Sequence, residues 1–128
     1  MTPPITGHCL CGRIRFQADA APLWQAHCHC DSCRRATSSG FTSFLGIADG
    51  QWRWTADAPA TYTSSPGVTR SFCAACGSQL AFQSDAFPGE THFYAASLDR
   101  PDLYAPKMHV HISEQMPWVR LADGLPSS

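Results

Sequence analysis

Seven cysteines lie in three short segments of the chain, and their spacing predicts metal binding. The segments are CLC at 9–11, CHCDSC at 28–33 and CAAC at 73–76. A closed structural zinc site takes four protein ligands, whereas a catalytic zinc usually takes three and keeps one position for water or substrate. Seven cysteines therefore predict one site of four sulfurs and one site of three.

Cys73 and Cys76 have the spacing of a zinc knuckle, in which the following Gly77 supplies the unusual backbone geometry of a tight turn. One knuckle provides only two ligands, so it needs a second pair. Cys9 and Cys11, also followed by a glycine, can provide that pair. Residues i and i+2 of an extended chain lie on the same side, so both thiolates can face one metal.

Cys28, Cys30 and Cys33 combine both spacings and form a compact group of three sulfurs. Four thiolates around Zn²⁺ leave two excess negative charges, whereas three leave only one. The three-sulfur centre is thus the more electrophilic, and it can accept water or a substrate thiolate. Arg34 and Arg35 follow directly and could offset the charge of the site or bind a substrate carboxylate.

Other uses of these cysteines stay open. Both zinc sites could be structural, with His27, His29 or a group outside the chain completing the second. Disulfides are disfavoured by the odd number of cysteines, and a thioredoxin-like motif by the lack of a βαβ pattern. His29 lies between two proposed ligands, so extended geometry should turn its ring away from their metal.

Length and composition predict one globular domain over residues 1–128, with 44% hydrophobic residues to fill its core. No apolar run is long enough to span a membrane, and the first residues do not resemble a signal peptide. These features predict a cytoplasmic protein with reduced thiols. The net charge is -1, and Arg34-Arg35 is the one adjacent basic pair, which disfavours binding to nucleic acid.

Hydrophobic periodicity predicts β-structure almost throughout. The predicted strands cover 13–17, 41–48, 51–55, 61–63, 68–72, 80–83, 92–96 and 108–112. Asp49-Gly50 predicts a tight hairpin between the second and third of these strands, and Trp52 and Trp54 should share one face of the third. A second turn is predicted at 64–67.

Helical signal is weak. Asp31 could cap a short turn that runs through Cys33 and Arg35, and residues 98–104 could hold a turn of helix. Residues 123–128 are expected to form a loosely held tail.

The chain resembles the glutathione-dependent formaldehyde-activating enzyme (GFA) family, also called the CENP-V/GFA domain. The resemblance rests on GHCLCGRIRF at 7–16, CHCDSCR at 28–34 and FCAACGS at 72–78. It extends to His109, Pro117-Trp118 and DGLP at 123–126. These elements span nearly the whole chain.

The resemblance implies a mainly β, Mss4-like fold of small antiparallel sheets around a structural zinc. That zinc is expected on Cys9, Cys11, Cys73 and Cys76. A second zinc, whose occupancy can vary, is expected on Cys28, Cys30 and Cys33. The implied activity is that of a carbon–sulfur lyase that reversibly joins formaldehyde to glutathione, or a related thiol to a related aldehyde.

The three-sulfur site suggests a mechanism in which a substrate thiol binds the second zinc as thiolate and adds to the aldehyde. We expect Cys28, Cys30, Cys33, His29 and Arg34 to form the catalytic site. His29 or His27 could move the hydroxyl proton, with His109 and His111 as alternatives if their strand crosses the site. The competing hypothesis is a non-catalytic zinc module that binds a protein or a small thiol.

Overall fold

Ten strands form two sheets in the computed structural model, which describes residues 3–128. The strands are β1 Ile5–His8, β2 Arg15–Ala18, β3 Trp24–Cys28, β4 Thr42–Ala48, β5 Trp52–Trp54, β6 Ala60–Ser65, β7 Val68–Phe72, β8 Gln79–Ser84, β9 Glu90–Tyr94 and β10 His109–Val110. The small sheet has the order β1-β2-β5, and the large sheet has the order β10-β3-β4-β9-β8-β7-β6. All pairs are antiparallel except β10 with β3. The prediction of a mainly β fold is confirmed.

The two faces of the large sheet have different roles. On β4 and β9, Leu45, Ile47 and Phe93 join the main core, which also contains residues of the small sheet. Phe16 of the small sheet stacks on Phe93 with ring centroids 4.3 Å apart. The alternate residue Phe44 belongs to a second buried cluster on the opposite face, because successive side chains of a strand point to opposite sides. One face of the large sheet is therefore covered by the small sheet, and the opposite face is available for a binding site.

The prediction of a hairpin at Asp49-Gly50 is wrong. The chain does turn there, and Gln51 N–H donates to the carbonyl of Ala48 at 3.1 Å. However, β4 pairs with β3 and β9, while β5 pairs with β2 in the other sheet. The turn therefore carries the chain from one sheet to the other. Burial of Trp52 and Trp54 against the main core favours this crossing over local strand pairing.

Helical structure is confined to short segments. Helix α1 covers Asp31–Thr37, and 3₁₀ turns cover Ala95–Ser97, Pro101–Leu103 and Ile112–Glu114. Cys30, rather than Asp31, occupies the N-cap position of α1, without a capping hydrogen bond from its side chain. Asp31 instead pairs with Arg35 one turn later, at 3.0 Å. Among the described residues, no helix is long and apolar enough to cross a membrane.

The C-terminal segment is held in place, which corrects the prediction of a loose tail. His109 N–H donates to the carbonyl of Pro126 at 2.8 Å, and Ser128 N–H donates to the carbonyl of His109 at 2.9 Å. The Asp123 carboxylate accepts a hydrogen bond from Nε2 of the buried His109 at 2.8 Å. The tail thus continues the edge of the large sheet beside β10, a long-range pairing that local sequence does not reveal.

Substitution of Asp123 by Asn should lower the thermal stability of the protein at neutral pH. The backbone N–H of Leu125 and the His109 ring hold the pKa of the Asp123 carboxyl below its usual value. A lowered pKa stabilises the fold above the unfolded-state value, and this contribution is lost as the pH falls through the folded-state value. The difference in melting temperature between the protein and Asp123→Asn should therefore shrink in acid.

Melting curves recorded from neutral to acidic pH test this prediction. Asp57→Asn is the matched control, since Asp57 is exposed and accepts no side-chain hydrogen bond within residues 3–128. An Asp123→Asn variant that melts like the control at every pH would show that the carboxylate does not anchor the tail.

Candidate functional site

Four cysteines meet where a turn of the small sheet approaches a turn of the large sheet. Cys9 and Cys11 lie between β1 and β2, and Cys73 and Cys76 lie between β7 and β8. Both turns contain a glycine at positive φ, 82° at Gly12 and 81° at Gly77, in the backbone region that favours glycine. Two hairpins that belong to different sheets thus present their sulfurs to one point.

The spacing of these four sulfurs fits a tetrahedral zinc site. Their Sγ atoms all lie within 4.8 Å of one another. Sγ of Cys11 is 3.6 Å from that of Cys9 and 3.7 Å from that of Cys73. Sulfurs placed about 2.3 Å from a common ion at tetrahedral corners are about 3.8 Å apart. These residues could therefore hold a metal ion with all four positions filled by protein.

Backbone N–H groups and one hydroxyl support the four sulfurs. Ile14 N–H donates to Sγ of Cys9 at 3.3 Å, and Cys76 N–H donates to Sγ of Cys73 at 3.4 Å. Oγ of Ser78 lies 3.2 Å from Sγ of Cys76, and its hydrogen bond helps lower the pKa of that thiol to about 5. Such donors stabilise thiolates, which are the form that binds metal.

A second cluster consists of Cys28, Cys30 and Cys33, at the end of β3 and the start of α1. Their sulfurs also lie within 4.8 Å of one another, and Cys28 and Cys33 are buried. The Cys28 and Cys33 thiols lower the pKa of Cys30 by hydrogen bonding, while the Cys30 sulfur raises the pKa of Cys28. Three sulfurs could hold a metal ion and leave one position for another ligand.

Arg70 supplies a positive charge beside this cluster that the sequence interpretation missed. The residue is only 4% exposed, and its Nη1 and Nη2 lie 3.7 and 3.8 Å from Sγ of Cys33. Nη1 also donates to the Tyr94 hydroxyl at 3.1 Å, and Nε donates to Oγ of Ser64 at 3.1 Å. A buried guanidinium in contact with a sulfur favours the thiolate form. No local motif around Arg70 signals this contact, because it depends on the pairing of β7 with β8 and of β8 with β9.

A cavity of about 290 Å³ opens over the three-cysteine cluster. It lies on the face of the large sheet opposite the small sheet. Its walls are mostly apolar and come from Trp24, Ala26, Phe44, Phe82, Phe87, Met108 and Val110, with Glu90, His92 and His111 as the polar residues. We call this space the cysteine cavity. A metal bound at the cluster would face a partly open, largely apolar space.

Three residues of the cysteine cavity form a hydrogen-bonded group. Oε1 of Glu90 accepts from Nε1 of Trp24 at 2.9 Å and bonds to Nε2 of His92 at 2.7 Å. Gly46 leaves room for the Trp24 indole in this position, since a Cβ at residue 46 would lie 2.3 Å from Nε1 of Trp24. Burial lowers the pKa of His92 even though Glu90 opposes the shift. A neutral His92 must donate through Nε2, because the carboxylate only accepts, and this leaves Nδ1 with a free lone pair.

His29 does not reach the cysteine cavity. Its side chain points to the other side of β3, is fully buried, and has Nε2 2.9 Å from Nδ1 of His109. His109 in turn bonds to Asp123. Nδ1 of His29 has no hydrogen-bond partner in the described chain. The ring thus turns away from the sulfurs, as extended geometry predicts. It belongs to a series of hydrogen bonds that runs through His109 to Asp123 in the C-terminal segment.

The other predicted participants are placed differently. Arg34 donates to the carbonyl of His29 at 3.0 Å and also contacts Met116 and Asp31, so its guanidinium supports the loop around the cluster. Nδ1 of His27 lies 2.8 Å from Oγ of Ser43, outside the cysteine cavity. Of the histidines considered from sequence, His111 is the one that lines the cysteine cavity.

Comparisons with known proteins agree with this architecture. The family model for the glutathione-dependent formaldehyde-activating enzyme matches residues 4–114. A crystal structure of a Rhodobacter sphaeroides protein superposes with a TM-score of 0.65 at 18% identity, covering 96% of this chain and 99% of that one. At that identity the likeness shows a shared fold. No curated protein matches the chain.

Substitutions in the two cysteine clusters should have separate effects. Cys73→Ala should unfold the domain, because a structural zinc contributes on the order of 10 kcal/mol to folding in small modules. Cys30→Ser should lower the zinc content from two ions per chain to one and leave the fold intact. Metal analysis and thermal melting check both variants. A Cys73→Ala protein with unchanged melting, or a Cys30→Ser protein with full zinc content, would contradict the division of ligands.

Replacement of Arg70 by Met should weaken metal binding at the three-cysteine cluster by about tenfold to a hundredfold, as loss of such supporting partners does. Arg70→Lys keeps the positive charge and should lose less metal affinity than Arg70→Met. Competition with a chromophoric chelator measures the affinity. Arg53→Met is the control, because Arg53 pairs with Asp19 on the surface of the small sheet. Equal affinities for Arg70→Met and the control would show that the guanidinium does not stabilise the site.

Proposed function

The chain belongs to the glutathione-dependent formaldehyde-activating enzyme family, and on that premise we propose that it is a carbon–sulfur lyase acting on a thiol–aldehyde adduct. The observation that carries the proposal is a cluster of three cysteines that lines an apolar cavity, in addition to a separate cluster of four. The four-cysteine cluster takes the structural role. The three-cysteine cluster and the cysteine cavity are then available for a reaction.

The proposed reaction joins a thiol to a small aldehyde, such as formaldehyde. In the forward direction the thiol sulfur forms a bond to the carbonyl carbon, the carbon–oxygen double bond becomes single, and the thiol proton ends on the oxygen. In reverse, the carbonyl re-forms as the hydroxyl oxygen loses its proton, the carbon–sulfur bond breaks with its electron pair going to sulfur, and the proton returns to the thiol. The net process needs neither an oxidant nor a reductant.

Cys28, Cys30 and Cys33 would hold the second zinc. When bound there, zinc supplies positive charge that lowers the pKa of a nearby substrate thiol. Arg70 contributes a second, permanent positive charge on the protein side of the cluster, in contact with Cys33. The Tyr94 hydroxyl fixes its position. Arg70 thereby offsets excess negative charge from the cysteines and the substrate, although no lysine or arginine side chain of the described chain lines the cavity.

His92 is the residue we propose to hold the transferred proton. It lines the cysteine cavity, its pKa is lowered by burial, and its bond to Glu90 leaves Nδ1 free to accept. A neutral imidazole at pH 7 can take the thiol proton as the bond forms and return it to the adduct oxygen. This role replaces the one predicted for His29, whose ring lies on the other side of β3.

The apolar walls would reduce the contact of a bound adduct with water. Phe44, Phe82 and Trp24 surround the space above the sulfurs. In such an environment charge interactions are stronger than in water, so the positive charge near the cluster acts more strongly on a substrate thiolate.

The protein should accelerate exchange between free aldehyde and its thiol adduct beyond the spontaneous rate. Exchange NMR spectroscopy of formaldehyde with glutathione, 2-mercaptoethanol and phenylmethanethiol, with and without protein, measures this rate. Cys30→Ser should abolish the acceleration. If no thiol exchanges faster in the presence of fully zinc-loaded protein, the chain is a non-catalytic zinc module.

His92→Asn should lower the accelerated exchange by about a hundredfold, in the range typical for loss of a general acid–base group. The zinc content should stay unchanged, since His92 belongs to neither cysteine cluster. His8→Asn is the control, because His8 is exposed and pairs with Asp99 away from the cysteine cavity. An unchanged rate in His92→Asn would remove His92 from the mechanism.

A further inference from the structure

The chemistry of the cysteine cavity narrows the choice of thiol. We propose that the substrate thiol carries a small, uncharged, apolar group, aromatic or branched aliphatic, that packs against Phe44, Phe82 and Phe87. This inference rests on the proposed function and specifies its substrate. It also predicts that glutathione is a poor ligand of this chain.

The lining of the cysteine cavity offers no partner for a carboxylate. None of the residues that line it within the described chain is a Lys or an Arg. Glu90 is its one carboxylate, and Oε1 of that residue is shared between Trp24 and His92. His111 lies at the mouth, 3.9 Å from Glu114. A carboxylate held against these walls, away from the sulfurs, would therefore meet the Glu90 carboxylate and no lysine or arginine side chain of the described residues.

The arginines nearest the cluster are engaged elsewhere. Arg70 directs its guanidinium to Cys33, Tyr94 and Ser64 from beneath the cluster. Arg34 binds the carbonyl of His29. Arg35 is paired with Asp31 on the exposed side of α1. None of the three lines the cysteine cavity, so none is available to a carboxylate held inside it.

Glutathione fits this environment poorly. It carries two carboxylates and one ammonium group, and an unpaired buried charge costs far more than an uncharged group. The volume of about 290 Å³ lies just below the usual range of ligand pockets, about 300–1,000 Å³. A benzyl-sized group fills part of this space and buries apolar surface against the aromatic walls, which favours binding.

Binding measurements with the zinc-loaded protein test the inference without relying on activity. Isothermal titration calorimetry should give a Kd for phenylmethanethiol at least about tenfold lower than that for glutathione, in proportion to the apolar area buried. Phenylmethanol, which lacks the sulfur, should bind weakly but measurably through its ring alone. Glutathione binding as tightly as phenylmethanethiol would overturn the proposal.

Substitutions at the mouth of the cysteine cavity provide the second measurement. Phe87 is 42% exposed, so its replacement should not disturb the fold. Phe87→Ala should weaken phenylmethanethiol binding about threefold to tenfold and leave 2-mercaptoethanol unchanged. Phe87→Arg should improve glutathione binding and so reduce the difference between the Kd values for phenylmethanethiol and glutathione. The control Tyr62→Ala removes another exposed aromatic outside the cavity and should change neither Kd.

The outcomes separate the two proposals. Faster exchange with glutathione than with phenylmethanethiol, together with no effect of the Phe87 variants, would overturn the substrate class and leave the lyase function standing. Tight phenylmethanethiol binding that depends on Phe87, without any accelerated exchange, would support the apolar site and overturn the lyase function.

Discussion

The four sulfurs of Cys9, Cys11, Cys73 and Cys76 are the contact on which the two-sheet arrangement depends. They lie in turns that belong to different sheets, so a metal held by all four joins the sheets at one end. The Phe16–Phe93 stack joins them in the middle. A domain of this size buries a modest core, and a structural metal worth on the order of 10 kcal/mol can then decide whether it folds.

The second cluster uses the face of the large sheet that the small sheet leaves free. Strand alternation places Trp24, Ala26 and Cys28 on that face of β3 and sends His27 and His29 to the other. One strand therefore serves both the cysteine cavity and a buried histidine chain. Since that chain ends at Asp123, the C-terminal segment and the loop around the cluster are positioned together.

The charged groups of the site lie in two places, one within the protein next to the three-cysteine cluster and one in the wall of the cysteine cavity. Below the cluster, Arg70 offsets negative sulfur charge from within the protein. Above it, the cavity is apolar except for Glu90, His92 and His111 at its sides. This separation suits a reaction in which a thiolate is the charged species and the rest of the substrate is not. It also explains why a basic residue next to a cysteine motif, such as Arg34, is a weak indicator of substrate binding: its guanidinium is used by the nearby backbone.

The sequence by itself determined the groups of sulfurs and most of the strands. Ligands separated by two or three residues are positioned by local backbone geometry, and glycines after Cys11 and Cys76 take the positive φ that their turns require. The turn at 64–67 joins β6 and β7 as predicted, because both strands pair directly with each other. Only the tertiary structure decided the path after Asp49-Gly50, the docking of the C-terminal segment and the lining of the cysteine cavity. Those features depend on which strands become neighbours, and Arg70, Phe82 and His92 lie side by side only because β7, β8 and β9 pair in that register.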